Sequence, residues 1–340
     1  MRAIVYSETG GPDVLELKER AVPEPASGEV RVRVHVSGVN PTDWKTRRGS
    51  GPGQRLAFPE VVPNQDGAGI IDAIGPDVSS LQVGDRVWLW EAAWQRADGT
   101  AQEYVALPAE HVVVLPDAAD FDLGASLGVP ALTAHRCLTV HDGGPERLLP
   151  GALADRTVLV AGGAGAVGHA AIELARWAGA TVVTTVSSAE KAALAQAAGA
   201  QHVINYRERD VAAALRGIVP GGVDIVVEVS PTANADLDRA VVAVNATIAV
   251  YADTGPGEVV LPVRPHMITN TRYQFVLLYN VPQTAKQYAL DDVSAAVSAG
   301  ALRVGADAGL PVHRFHLDET AAAHAAVEDG IVGKVLIDID

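Results

Sequence analysis

Glycines at positions 163, 165 and 168 form a G-x-G-x-x-G pattern in the run VLVAGGAGAVGHAAIELARWAGA, where spacing most directly implies chemistry. The pattern follows a short apolar run, Thr157 to Ala161. It opens a segment whose Ala170, Ile172, Leu174 and Ala175 mark an apolar helical stripe ending near Trp177. Strand, glycine turn and helix in that order make a dinucleotide site. Gly163 is expected to permit the tight turn, Gly165 to let backbone approach a pyrophosphate, and Gly168 to let helix and strand pack closely. Ala164, Ala166 and Val167 complete the loop, and the helix N-terminus faces the anion.

The second strand, about twenty residues on, is where a carboxylate would bind the 2′-hydroxyl of NAD. It ends TTVSSAEK, with no carboxylate at the tip. Ser187, Ser188 and Lys191 offer two hydroxyls and an ammonium there, which suits a 2′-phosphate and so favours NADPH. Ser187 and Glu190 also read as an S-x-x-E capping box, with Lys191 merely exposed. The two readings are compatible, because a capped helix start is itself an anion site.

The elements around these residues follow two rhythms. EVRVRVHV, Glu29 to Val36, alternates strictly and puts Val30, Val32, Val34 and Val36 on one face. His35 falls on the other face and reads as a solvent-side residue. Short strands such as DRVWLW and EHVVVL between Pro/Gly-rich stretches extend a mostly antiparallel β region. From about Ala125 strands alternate with helices: TVLVA, TVVTTV, HVIN, VDIVVEV and ATIAVY, which implies βαβ units and a parallel sheet. The apolar run QFVLLYN, Gln274 to Asn280, is expected as its last, edge strand. HDGGPERLLPGALADR, before Thr157, reads as a surface insertion.

Composition bounds the function classes. The chain has 340 residues, 48% hydrophobic and 20% charged, enough for one large or two ordinary folded domains. A net charge of −15 disfavours nucleic acid and anionic membrane as partners. Cys137 is the sole cysteine, which excludes a disulfide framework and a multi-cysteine metal site. No apolar run approaches the roughly eighteen residues of a membrane span, and Ala3 to Tyr6 is too short for a signal core. A cytoplasmic enzyme is expected.

The motifs MRAIVYSETGGPDVLEL, GEVRVRVHVSGVNPTDWK, DGAGIIDAIGPDV, VGDRV, GVPALTAH, AGGAGAVG and VGKVLI occur in an order that resembles the medium-chain dehydrogenase/reductases across nearly the whole chain. Within them the chain is most similar to the zeta-crystallin-like quinone oxidoreductases, whose motif is G-V-N-P-x-[DE]. The resemblance implies an α/β fold: a Rossmann-type doubly wound parallel sheet inserted into a mostly antiparallel β (GroES-like) catalytic domain. The expected spans are 1–124 for the first catalytic part, 125–265 for the nucleotide-binding fold, and 266–340 for its last strand and the return. An active-site cleft is expected between the two domains.

Zinc alcohol dehydrogenases of the superfamily carry C-H-T-D and G-H-E motifs, where this chain has Asn40-Pro41-Thr42-Asp43 and Asn64-Gln65-Asp66. Amides are poor zinc ligands, so a metal-free site is expected. Without a Lewis acid, hydride addition to a quinone or enone remains feasible, because the acceptor delocalises the charge. The resemblance makes Asn40, Lys45 and Gln65 the catalytic candidates. Asn40 either orients substrate or nicotinamide, or is a turn residue before Pro41. Lys45, where many relatives have tyrosine, either donates to a developing oxyanion or points to water. Cofactor contacts carried over by position are Thr133, Tyr206, Tyr251, Ala252 and Lys334, the last a pocket-closing residue or a strand-edge lysine. The resemblance also implies a homodimer built on edge-strand pairing. Alternatives are an enoyl-thioester reductase, for which Lys45, Arg47 and Arg48 are the only basic cluster, and a non-catalytic NADPH-binding protein.

Overall fold

The computed structural model describes residues 1–49, 51, 53, 55–253 and 257–339, and the chain divides into two compact units. One comprises Met1–Val129 with Val312–Asp340, the other Pro130–Pro311. The first division falls within helix α2 (Phe121–Leu138), before its internal Pro130, rather than at 124/125. Within the expected 266–340 span the return to the first unit comes at Val312, after the strand over Arg272–Phe275 and the helix over Gln283–Ser298, which stay with the parallel sheet.

In the first unit β1 (Arg2–Val5) and β2 (Glu16–Glu19) form a two-stranded antiparallel sheet. The strands β3 (Glu29–Val39), β4 (Asp66–Ile74), β5 (Arg86–Leu89), β6 (Tyr104–Pro108), β7 (Val112–Val114), β14 (Val312–His316) and β15 (Lys334–Asp338) form a seven-stranded one. Its order is β14-β15-β3-β4-β5-β7, with β6 also on β3; only β14 and β15 pair in parallel. The alternation of β3 buries Val30, Val32 and Val34 against Val87, Leu107, Val335 and their neighbours, whereas Val36, beyond a register shift after Val34, packs instead with Ala68, Ala125 and Leu336. Each such side chain removed from water contributes roughly 1.5–3 kcal/mol before chain entropy is set against it. His35 is not on a solvent face. It is half-buried, its ring stacked on Phe121 at 4.8 Å, because α2 brings an aromatic over that side of the sheet. β3 also outruns its alternating stretch to Val39 and delivers the chain to Asn40, where α1 (Pro41–Arg48) begins. Helix α9 (Thr320–Glu328) packs on α1 and leads back to β15.

The second unit is an all-parallel six-stranded sheet of order β10-β9-β8-β11-β12-β13. Its strands are β8 (Thr157–Ala161), β9 (Thr181–Val186), β10 (His202–Asn205), β11 (Val223–Glu228), β12 (Val242–Val250) and β13 (Arg272–Phe275). Helices α3 (Ala166–Trp177), α4 (Ala189–Ala197), α5 (Val211–Ile218), α6 (Pro231–Val241), α7 (Val263–Thr269) and α8 (Gln283–Ser298) connect and flank them. The edge strand β13 starts earlier than expected and stops at Phe275; Leu278–Asn280 is a 3-10 turn. Among the described residues no helix is long and apolar enough to cross a membrane.

The segment 141–156 lies at the surface, as expected, but it is anchored. Leu148 and Leu153 are buried, and Asp292 of α8 holds three donors: His135 Nε2 at 2.8 Å, Arg147 Nε at 2.7 Å and the Leu148 N–H at 2.7 Å. These donors hold the Asp292 carboxyl below the usual range. Two buried leucines and a charge-assisted network fix this stretch.

Candidate active site

The candidate site residues fall into two sets, one in each unit. In the second unit the loop after β8 turns at Gly162, whose φ of +69° is left-handed, so this glycine and not Gly163 makes the turn. Gly163 has a packing role: a Cβ there would lie 2.1 Å from Oγ1 of Thr184 on β9. Gly168 allows α3 to close on the turn, since its Cβ would lie 2.5 Å from the Gly162 carbonyl. A Cβ on Gly165 would meet its nearest atom at 3.5 Å, which leaves this stretch of backbone open. Gly165 is the N-cap of α3 and supplies no side-chain cap, so the first N–H groups, at Ala166 and beyond, are free to face an anion.

At the tip of β9, Ser187 and Ser188 are half-buried, and the cap of α4 is Ser188, whose Oγ accepts the Lys191 N–H at 3.2 Å. The capping pair is thus one residue later than the S-x-x-E reading placed it, which leaves the Ser187 hydroxyl uncommitted. Lys191 is half-buried, and its ammonium has no carboxylate partner among the described residues. The Tyr206 N–H donates to the Val186 carbonyl at 3.0 Å, fastening this tyrosine, 52% exposed, beside the same strand tip. Tyr206, Arg209, Thr185 and Gly162 rim a cavity of about 670 Å³ over Val211, Val229 and Leu237. A second, of about 420 Å³, is lined by Tyr251, Ala252, Thr232, Asp253 and Phe275 to Leu277. Thr133 is buried on α2. The open glycine backbone, the uncapped helix start and the cations fit a dinucleotide.

In the first unit a polar cluster is buried. Asn40, Asp43, Gln65, Asp66 and Lys334 are each at most 4% exposed. The Asp43 carboxylate accepts the Asn40 N–H at 2.6 Å and the Gln65 N–H at 3.1 Å, joining the start of α1 to the loop before β4. Gln65 Oε1 accepts the Ala93 N–H at 3.1 Å. Asn40 Nδ2 donates to Asp66 Oδ2 at 2.7 Å, and Lys334 Nζ donates to Asn40 Oδ1 at 2.8 Å. Both Asp66 oxygens receive the Val129 N–H, at 3.0 and 2.9 Å. Gly128 permits this approach: a Cβ there would lie 2.1 Å from Asp66 Oδ1. Burial and the neighbouring Asp66 push the Asp43 carboxyl up to about 8, while burial raises Asp66 and lowers Lys334 against their mutual attraction. Among the described residues no three His, Cys, Asp or Glu side chains are grouped to hold a metal. The cation these residues do hold is the Lys334 ammonium, so the set does not fit a metal centre.

Lys45 lies apart from this cluster, exposed on α1 with its ammonium 5.6 Å from the Trp44 ring centroid. Arg47 is buried and bonded to Glu328, and Arg48 pairs with the same carboxylate at 2.8 Å. The structure thus brings Asn40, Gln65 and Lys334 together and leaves Lys45 on the surface. The sequence reading missed Asp43, Asp66 and the relay from His324 through Asn64, Ser37 and Thr100 to the Asp66 carbonyl. An aspartate inside each ligand-like motif was the available signal for the first two; nothing local marks His324.

Two family models match the chain, the alcohol dehydrogenase GroES-like domain over residues 26–117 and the zinc-binding dehydrogenase over residues 166–295. The human quinone oxidoreductase is 32% identical over 343 residues, covering 99% of this chain and 97% of its own length. A mycobacterial protein solved in complex with NADPH is 29% identical, with a TM-score of 0.82 over 99% of this chain and 100% of that one. A structure described as an NAD-dependent alcohol dehydrogenase is 27% identical, with a TM-score of 0.86 over 100% of both chains. With this identity sustained over nearly its full length, and amides and an ammonium where a metal set would stand, the chain belongs to the medium-chain dehydrogenase/reductase superfamily and, within it, to the zinc-free quinone oxidoreductases.

Proposed function

We propose that this oxidoreductase transfers hydride from NADPH to a quinone or another conjugated carbonyl acceptor, with no metal in the step. The observation that carries the reading is the contact between Lys334 and Asn40, which closes the buried centre around an ammonium and amides. Chemistry that needs a Lewis acid has no ligand set there, whereas an acceptor that spreads its own developing charge needs only hydrogen-bond donors.

When bound, NADPH supplies the hydride. The open N-terminus of α3 receives the pyrophosphate, and Ser187, Ser188 and Lys191 hold the 2′-phosphate, with Tyr206 beside them. The backbone at Tyr251 and Ala252 meets the carboxamide, and Thr133 lies near the nicotinamide. On the acceptor side Asn40 and Gln65 orient the carbonyl, while Lys45, exposed on α1 and apart from them, is left to solvent, the other reading of that residue. NADH is the second reading, favoured by the likeness to the NAD-dependent alcohol dehydrogenase. An enoyl-thioester reductase is disfavoured, because Arg47 is buried and Arg48 is paired, which leaves Lys45 as the one uncommitted cation of its basic cluster.

We place the enzyme in the cytoplasm as a homodimer joined at the free edge of β13. Phe275 on this strand is 68% exposed and Leu277 just beyond it 54%, and among the described residues no further strand pairs the outer edge of β13. The function is tested by screening NADPH and NADH oxidation against quinones, enones and enoyl thioesters, with elemental analysis of the same sample. Quinone or enone turnover with NADPH and no stoichiometric zinc is expected; turnover that needs zinc, or none with any acceptor, rejects the reading.

A further inference from the structure

Asn40 carries two polar atoms, and the groups facing them differ in kind. Lys334 Nζ, 2.8 Å from Oδ1, can only donate, because an ammonium has no lone pair to offer. Asp66 Oδ2, 2.7 Å from Nδ2, can only accept while it is ionised. Turning the amide over would set donor against donor and acceptor against acceptor inside a cluster at most 4% exposed. The partners are themselves fixed. The Val129 N–H holds both Asp66 oxygens across the space left by Gly128, and Lys334 opens β15, which is paired with β3 from Val335 to Asp338.

We infer that Lys334 is a positioning residue that commits Asn40 to act as a hydrogen-bond donor, an inference that rests on the acceptor-side role of Asn40 proposed above. An amide nitrogen has two hydrogens, and Asp66 takes one. With its oxygen turned to the Lys334 ammonium, Asn40 presents its second Nδ2 hydrogen as the free donor of the amide. A donor is what a quinone or enone oxygen requires as hydride adds at carbon and negative charge gathers on oxygen. Lys334 therefore acts on hydride transfer through Asn40 and makes no contact with the cofactor.

The test is a double-mutant cycle between Lys334→Met and Asn40→Ala, reading kcat and KM for the quinone and Kd for NADPH. Each single variant is expected to lose about ten- to a hundred-fold in kcat, the range for a lost charge-assisted hydrogen bond, with NADPH affinity held. The double variant is expected to be no slower than Asn40→Ala alone, and Lys334→Gln, which keeps a donor for Oδ1, to recover part of the loss. Additive losses, or weakened NADPH binding with kcat intact, overturn the inference. Should Lys334→Met fail to fold because Asp66 is left uncompensated, Lys334→Met/Asp66→Asn takes its place in the cycle. If the wild type turns over no acceptor at all, the function fails but the lock is still read by NMR. The Asn40 side-chain amide hydrogens should exchange slowly in the wild type and rapidly in Lys334→Met. Equal exchange in both refutes the lock.

Discussion

His324 Nε2 and Asn64 Oδ1, 260 positions apart in sequence, share a hydrogen bond of 2.9 Å that ties α9 to the loop carrying Gln65. Asn64 has a left-handed φ of +79°, uncommon outside glycine, and its Nδ2 donates to Ser37, which turns its oxygen toward the histidine. Nε2 therefore carries the ring's proton.

Burial and, secondarily, Arg47 hold His324 near a pKa of about 3. A folded pKa below the unfolded value of about 6.5 contributes stability above pH 6.5 that is lost as pH falls toward 3. Between pH 7 and 5 the loss is on the order of 2 kcal/mol. Urea titrations at the two pH values should find His324→Gln less sensitive to acid than the wild type; equal sensitivity refutes the assignment.

The Glu228–Asp238 pair, at the end of β11 and on α6, has the opposite sign. Burial and Glu228 push Asp238 up to about 9, while Tyr251, Tyr273, Arg239 and His266 are the titratable groups around the pair and its neighbours. A raised carboxyl contributes stability fully present below about pH 4 and lost as pH rises through 9, up to about 1.4 kcal/mol per unit. Asp238→Asn should therefore gain in Tm over the wild type as pH goes from 6 to 9. A difference that does not vary with pH counts against the raised Asp238 carboxyl.

Lys191→Ala should weaken NADPH about ten- to a hundred-fold and leave NADH nearly unchanged, as calorimetric titration of both cofactors will read. Equal losses, or a wild-type preference for NADH, reject the 2′-phosphate assignment.

The edge of β13 calls for a particular variant. The Val276 N–H donates inward to the Val250 carbonyl at 2.7 Å, so a proline there would damage the monomer's own ladder. By alternation the Phe275 N–H faces away from β12, and Phe275→Pro should weaken the homodimer while the monomer stays folded. Light scattering at micromolar concentration distinguishes the cases, and a monomeric wild type removes the dimer altogether.

What the sequence disclosed depended on how local the cause was. The alternation of Val30 to Val36 and the strand–glycine–helix order are set by neighbours in the chain, and both elements stand where they were read. Assigning the turn to Gly163 instead of Gly162 failed because adjacent glycines differ only in φ and in what a Cβ would strike. The run QFVLLYN stays apolar past Phe275, so composition did not mark where the strand became a turn. His35 stacks on Phe121, and Lys334 reaches Asn40 across 294 positions; pairings of that range leave no local trace.

Asp292 and its three donors turn the 141–156 stretch into a stem with one replaceable end. Gly143 is exposed at a φ of +67°, just ahead of Arg147, so a reporter domain spliced there would ride on a rigid mount. Splicing past Arg147, or trimming the stretch to a short connection, would strand a wholly buried carboxylate with fewer partners than its charge requires. The stretch can be lengthened from its tip but not shortened through its base.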